Sequence, residues 1–347
     1  MKKALYDEIL DRIIDSTIAL DELREKTVVI VGATGLVGVA LTDIFMRLNQ
    51  LYAMEINVIA IGRNEEHLEK LYNRYEKNKL LQTYVCDALV PFFVDLNVDH
   101  IIYAASNTHP QAYVNDPIGT IMINVAGAGN WLEYGVRHNV QKFIYLSSVE
   151  IYGENRSDVE CFDETYMGYL DCNTLRAGYP ESKRVGEALC QAYKEKYDLD
   201  VVSARLCRVY GPTMLETDSK VIAQFIKNAV DGKDIILKSE GTQQFSYVFS
   251  LDAAMGIICL LLKGKSGEAY NVACREIFSL KEIAGMTAKI GGCNVYMGLA
   301  DKEEQKGYSV ATKALMNTNK IEKLGWKAMV ELEEGLQITI DMKKYEC

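Results

Sequence analysis

Apolar residues fall along this chain in two alternating rhythms. Short unbroken runs rich in β-branched residues mark strands buried on both faces, and apolar residues recurring every three or four positions mark helices that bury one face. Thr27-Val28-Val29-Ile30-Val31 is the first such strand, and Val37, Leu41, Ile44, Phe45 and Leu48 continue behind it at helical period. Further strands are expected at 56–61, 82–86, 99–104 and 142–147, with helices at 64–76, 117–138 and 179–196. Asp116-Pro117 supplies a cap and a helix-compatible first residue for the second of these helices. Alternation of strands and helices predicts an α/β fold, a doubly wound parallel sheet with ligands outside the carboxyl ends of its strands.

The join between the first strand and its helix carries glycines at a spacing of three: Gly32, Gly35 and Gly38. Gly32 permits the tight turn, Gly35 lets a pyrophosphate approach the backbone, and Gly38 lets the helix pack close to the strand. The turn residues Thr34, Leu36 and Val37 contribute first-turn amides at the positive end of the helix dipole, which favours an anion. A glycine triplet alone is weak. Between a strand and an amphipathic helix it indicates the dinucleotide site of a Rossmann sheet.

Leu5, Ile9, Ile13 and Leu20 share one face of a helix, so residues 1–26 are expected to form an N-terminal helical extension that caps the core. Past residue 206 the alternation loosens. Gly211-Pro212 breaks the chain, followed by a helix at 219–230, a strand at 245–249, a helix at 251–263, a strand at 268–272 and a helix at 279–290. The expected division is a dinucleotide-binding domain over 27–206, with a returning segment near 245–270. A smaller C-terminal α/β substrate lobe, 207–244 with 271–347, closes over the ligand edge.

The chain has 347 residues, enough for a large core, and its net charge of −10 argues against nucleic acid or an anionic membrane as partner. Nine cysteines without a Cys-x-x-Cys pair and four dispersed histidines point to reduced thiols and away from a zinc site. Acidic and basic residues interrupt the N-terminus, and the longest apolar run, Ala253 to Leu262, is too short to span a bilayer. A soluble, cytoplasmic protein is expected.

The second strand ends Ile61-Gly62-Arg63. An NAD site usually places an acid here for the ribose hydroxyls; Gly62 leaves room for a 2′-phosphate and Arg63 can pair with it. NADP is therefore favoured, with NAD as the alternative. Asp87, at the end of the third strand, is placed to accept from the adenine amino group. Tyr179-Pro180-Glu181-Ser182-Lys183 sets a phenol and an ammonium four apart on one helix face. The cation favours the phenolate, so Tyr179 can act as a base near neutral pH, while Lys183 can also hold the cofactor ribose. Ser148, where a strand runs out at the sheet's carboxyl edge, can relay a proton, and Glu150 is a second candidate acid or base.

Together these residues resemble the extended short-chain dehydrogenase/reductase family, the NAD-dependent epimerases and dehydratases that modify nucleotide sugars. The likeness rests on Gly32-x-x-Gly35-x-x-Gly38, Asp87, Tyr103-Ala104-Ala105-Ser106, Asn124, Ser148, Tyr179-x-x-x-Lys183, Arg205, Tyr210-Gly211-Pro212 and the tail Leu324-Gly325-Trp326 with Glu334-Gly335-Leu336. It covers nearly everything from Thr27 onward. Within that family the run from Glu164-Thr165-Tyr166 through Arg176-Ala177-Gly178-Tyr179 to Lys183-Arg184-Val185-Gly186-Glu187 looks most like the UDP-glucuronate decarboxylase branch. The resemblance implies cofactor contacts from Ala88, Ala104, Ala105, Ser106 and Asn124, and substrate contacts from Thr108, Arg176, Arg208, Lys220 and Gln243. It also implies no metal, a homodimer through the helices at 117–138 and 179–196, and C4 chemistry. Tyr179 takes the 4-hydroxyl proton as hydride leaves, and the transient 4-keto sugar then decarboxylates, loses water or inverts.

Three positions depart from that pattern. Val149 replaces the acid that dehydratases use to protonate the departing 6-hydroxyl, which disfavours ordinary dehydration and leaves decarboxylation open. Gln243 stands where the family usually has a diphosphate-binding arginine, a bidentate cation exchanged for an amide. Arg208 stands where a substrate-binding asparagine is usual, so the anion contact has moved or the substrate differs. The leading expectation is a nucleotide-sugar decarboxylase or 4-epimerase with a retained cofactor. A net NADP-dependent reductase or dehydrogenase of a sugar or sugar nucleotide is the alternative, and a non-catalytic nucleotide sensor on the same scaffold is the third.

Overall fold

The computed structural model describes residues 2–15, 18–108, 110–298 and 312–344. Helix α1 (Lys2–Ile14) precedes β1 (Thr27–Val31), α2 (Leu36–Tyr52), β2 (Asn57–Gly62), α3 (Glu65–Tyr72), β3 (Leu81–Val85) and β4 (His100–Tyr103). Two short helices, α4 (Pro110–Asn115) and α5 (Pro117–Met122), lead through a π turn over Ile123–Gly127 into α6 (Ala128–Arg137). Next come β5 (Lys142–Ser148), the long α7 (Gly178–Tyr197) and β6 (Val201–Leu206). The later chain holds β7 (Arg208–Tyr210), α8 (Val221–Val230), β8 (Ile235–Leu237), β9 (Gln244–Phe245), β10 (Tyr247–Phe249) and α9 (Ser250–Lys263). After these follow β11 (Ala269–Val272), β12 (Phe278–Ser279), α10 (Leu280–Gly291), β13 (Val295–Met297), β14 (Lys313–Ala314) and a closing helix, Leu332–Lys344.

Seven strands make one sheet in the order β11-β6-β5-β4-β1-β2-β3, and every pair in it is parallel. Because side chains alternate across a strand, Val28 and Ile30 enter one core with Leu41 and Ile44 of α2 and Ile257 and Ile258 of α9. Val29 and Val31 enter the other, with Trp131 of α6 and Cys190 of α7. The doubly wound parallel sheet is as expected. Helix α1 lies on α2 and α9 with Ile9, Leu10, Ile13 and Ile14 buried. No helix among the described residues is long and apolar enough to cross a membrane.

Two expected elements are broken. The helix over 117–138 is interrupted by the π turn, because Tyr103 and Tyr145 beneath it offer hydroxyls to its carbonyls. The strand at 245–249 divides at Ser246. There β9 pairs with β12 and β14 while β10 pairs with β7, and the Ser246 hydroxyl accepts from the Met316 amide at 3.0 Å. Period-two patterning cannot foresee a strand that changes partners halfway.

Candidate active site

The glycine turn is a backbone requirement. Gly32 has φ +88°, and a Cβ there would stand 2.6 Å from the Ala105 amide nitrogen. A Cβ on Gly38 would lie 2.5 Å from the Gly32 carbonyl oxygen, so α2 sits directly on the turn. Gly35 is the N-cap of α2, Leu36 and Val37 open its first turn, and no carboxylate stands there to occupy the amides. A tight glycine turn leading into an uncompensated helix N-terminus fits a dinucleotide pyrophosphate. Ala104 extends the β4–β1 pairing, its amide donating to the Val31 carbonyl at 2.8 Å.

The adenosine end is less committed. Gly62 packs against the Thr34 methyl, and Arg63 beyond it is exposed, with no ion pair or hydrogen bond to its side chain among the described residues. Asp87 accepts from the Leu89 amide at 2.9 Å, and buried Ala88 accepts through its carbonyl from Asn130 at 3.1 Å.

The candidate catalytic residues converge where β5 ends. Ser148 terminates the strand and accepts from the Glu150 amide at 3.2 Å. Tyr179 and Lys183 lie one turn apart at the start of α7, both buried. The Lys183 ammonium donates to the Leu146 carbonyl at 2.7 Å, 4.9 Å from the centre of the Tyr145 ring and 5.9 Å from that of Tyr179. Burial pushes the Tyr179 phenol up to about 12, with Ser148 pulling it back. Burial also brings the Lys183 ammonium down to about 7. The sequence reading has the lysine favour the phenolate; in this ligand-free fold burial is the larger effect and holds the phenol above its ordinary value.

Tyr113, which sequence reasoning did not single out, covers the Tyr179 ring, and its hydrogen bond draws the phenol down against burial. Its ring stacks on Tyr179 at 4.7 Å between centroids and 21° between planes. The Arg176 guanidinium lies 4.9 Å from the Tyr113 ring centre and pairs with Glu150 at 2.8 Å. Nε and Nη1 of Arg176 are buried without a partner. The one available signal was position, since Tyr113 sits in the connection that leaves the carboxyl end of β4.

A glycine cradle, a Ser148–Tyr179–Lys183 cluster and a parallel sheet already narrow the choice, and comparison decides it. The profile of the NAD dependent epimerase/dehydratase family matches residues 28–273. The chain belongs to that family. It is 28% identical over 325 residues to UDP-glucuronic acid decarboxylase 1 of Xenopus tropicalis, covering 92% of this chain and 73% of that protein. It is 27% identical to UDP-glucuronic acid decarboxylase 3 of Arabidopsis thaliana, covering 90% of this chain and 87% of that one. Among solved structures, the Bacillus cereus UDP-glucuronic acid 4-epimerase superposes with a TM-score of 0.77 at 22% identity, covering 92% of this chain and all (100%) of that one. The epimerase Mth375 of Methanothermobacter thermautotrophicus superposes with a TM-score of 0.80 at 21% identity, covering 96% of both chains.

Of the residues singled out as departures, Arg208 and Gln243 are held differently. Ser148 pairs in register with Leu206, so Arg208 stands just beyond the carboxyl end of the neighbouring strand. Its guanidinium carbon is 3.5 Å from the centre of the Phe245 ring, and its Nη1 is buried without a partner. Gln243 is occupied locally, its amide bonding the Ser239 hydroxyl at 3.3 Å. Lys220 is paired with Asp218 at 2.8 Å, and Thr108 is exposed. Of the expected cations, Arg176 and Arg208 keep open bonding capacity.

Proposed function

We propose that this enzyme oxidises a nucleotide sugar transiently at C4 on a bound nicotinamide dinucleotide, with UDP-glucuronate as the first substrate to test and decarboxylation or C4 epimerisation as the outcome. The observation that carries this is the buried Ser148–Tyr179–Lys183 cluster at the carboxyl edge of a sheet whose first turn fits a pyrophosphate. A nicotinamide bound there would supply a reversible hydride acceptor for the sugar carbon. With the site loaded, Tyr179 would first release its phenol proton to solvent and then, as phenolate, take the 4-hydroxyl proton, with Ser148 holding the departing proton's path and Lys183 steadying the ribose. The substrate lobe contributes Arg208, which takes the anionic charge that Gln243 cannot, while Lys220 and Thr108 line the approach. Arg176 would offer its unpartnered Nε and Nη1 to the substrate. Val149 carries no acidic proton, so loss of a 6-hydroxyl lacks its acid, whereas carbon dioxide leaves without one.

Gly62 and unpaired Arg63 favour NADP over NAD, and they support one second reading, a net reductase that draws on NADPH. Ile118, Ile121 and Met122 on α5 and Val185 on α7 expose apolar side chains on adjacent helices, which supports a homodimer through that face. Mass spectrometry of products from a nucleotide-sugar panel tests the main reading. Loss of carbon dioxide from UDP-glucuronate means decarboxylase, and unchanged mass with altered retention means epimerase. Stoichiometric NADPH consumption means reductase. Intact substrates across the panel would overturn all three.

A further inference from the structure

The π turn between α5 and α6 is held by two phenols from below. Tyr103 and Tyr145 are register partners on β4 and β5, their rings 6.1 Å apart and 7° from parallel. The Tyr103 hydroxyl donates to the Ile123 carbonyl at 2.6 Å, and the Tyr145 hydroxyl to the Asn124 carbonyl at 3.2 Å. Widening a helix by one residue disturbs the ordinary carbonyl-to-amide pairing, and such turns recur at functional sites. Two glycines make room for these hydroxyls. A Cβ on Gly127 would lie 2.5 Å from the Tyr103 oxygen, and one on Gly186 of α7 would lie 2.1 Å from the Tyr145 oxygen.

The turn sets where Asn124 points. Asn124 is fully buried; its Oδ1 accepts from the Ser106 hydroxyl at 2.8 Å and its Nδ2 donates to Ser182 at 3.0 Å and to the Thr120 carbonyl at 3.0 Å. The Ser182 hydroxyl donates in turn to the Tyr179 carbonyl at 2.8 Å. Asn124 thus ties the segment leaving β4 to the first turn of the helix that carries Tyr179 and Lys183. We infer that Tyr103 and Tyr145 are positioning residues, whose hydroxyls hold open the π turn that keeps Asn124 bridged between Ser106 and Ser182. If the turn closed to ordinary α-helical winding, the dropped residue would rotate side chain 124 by about 100°, and the bridge would break.

The inference rests on the nicotinamide reading, and its test separates the two. Tyr103→Phe, Tyr145→Phe and the double variant keep the rings and remove only the hydroxyls. Misplacement of a catalytic group by about 1 Å costs up to about 100-fold, so the double variant is expected to lose about 10- to 100-fold in kcat. Its KM for the nucleotide sugar and its dinucleotide Kd by calorimetry should stay within a few-fold, and amide hydrogen exchange over 122–128 should accelerate. Ser182→Ala leaves the turn intact and should reproduce part of the kcat loss, which keeps the test open if the double variant folds poorly. Tyr134→Phe is the control, since it removes another buried phenol-to-carbonyl bond (to Val94, 2.9 Å) away from the site. Wild-type kcat in the double variant, or an equal loss in Tyr134→Phe, overturns the inference while the functional reading stands. A wild-type protein that neither binds a dinucleotide nor turns over any sugar nucleotide overturns both.

Discussion

Two groups in this molecule are built from the same parts. Around Asp43 on α2 gather Arg74, Tyr6 and Tyr75; around Glu150 gather Arg176, with Tyr113 and Tyr179 stacked beyond it. Buried Asp43 pairs with Arg74 and accepts from the Tyr6 and Tyr75 hydroxyls at 2.8 and 3.0 Å, and every buried polar atom of the group has a partner. Burial still raises the Asp43 carboxyl, which shows how little dielectric screening that position has. The Glu150 group has one ion pair and leaves two buried guanidinium nitrogens unanswered. A closed polar group fastens α1 to the sheet domain. An open one costs folding free energy that a ligand can recover, which supports the second as the proposed working site.

The largest test of this contrast is Tyr179→Phe. The ring stays stacked on Tyr113 while the acid–base group goes, so turnover should fall by about 10³-fold or more, within the range of general acid–base catalysis. Binding of the nucleotide sugar should survive, and Tm should shift by only about 2 °C. Single-turnover kinetics with calorimetry of the same sample decide it, and residual turnover above a tenth of wild type would remove Tyr179 from the mechanism.

Asp43→Ala should do the reverse. It strands a part-exposed Arg74 and two phenols, and the unanswered hydroxyls cost about 2 kcal/mol, with solvent screening limiting what the ion pair adds. Urea unfolding should show that loss, with kcat unchanged at temperatures where the variant is folded. A variant of normal stability and poor activity would mean that the closed group also serves the reaction.

Lys183→Met separates stability from function at one residue. In the folded chain the ammonium is brought down to about 7 from an ordinary 10.5. Between those values the unfolded chain binds more protons than the folded one, so folding stability climbs with pH across this window and is lowest below about 7. Methionine fills similar space without a charge. The variant should lose turnover, unfold at higher temperature than wild type below pH 7, and show a flatter stability profile from there to pH 10. A slope unchanged from wild type would assign the wild-type pH dependence to some other group.

Much of the fold was legible because its signals are local: β1, the glycine turn and α2 are adjacent in sequence, as are Tyr179 and Lys183. Ser148 was legible because it ends a strand at the edge where ligands bind. What sequence could not supply came from distant partners. Tyr113 stacks on Tyr179 from another segment altogether, and Glu150 finds Arg176 across 26 residues. The π turn is invisible to helical periodicity because its cause, the Tyr103–Tyr145 pair, lies on the sheet beneath. Lys220 was expected as a substrate contact, and its pairing with Asp218, only two residues away, was not foreseen.

Arg63 offers the smallest effect and the sharpest use of the opening contrast, since it too is a cation without a partner, but an exposed one. In high dielectric a single charge contact contributes little: a hydrogen bond to a charged group gives about 1.5 kcal/mol at the low end, roughly tenfold in affinity. Arg63→Ala should therefore weaken NADP binding by about tenfold or less and leave NAD binding unchanged. The NADP effect should shrink as salt rises, because exposed charges are screened over about 8 Å at physiological ionic strength. Arg176→Ala, removing a cation of the same kind from a buried position, should lower kcat/KM by a larger factor that salt barely alters. If titration calorimetry at low and high salt finds NADP and NAD weakened equally by Arg63→Ala, the residue contributes nothing to cofactor choice. Burial, not the absence of a partner, would then be what distinguishes a functional cation in this protein.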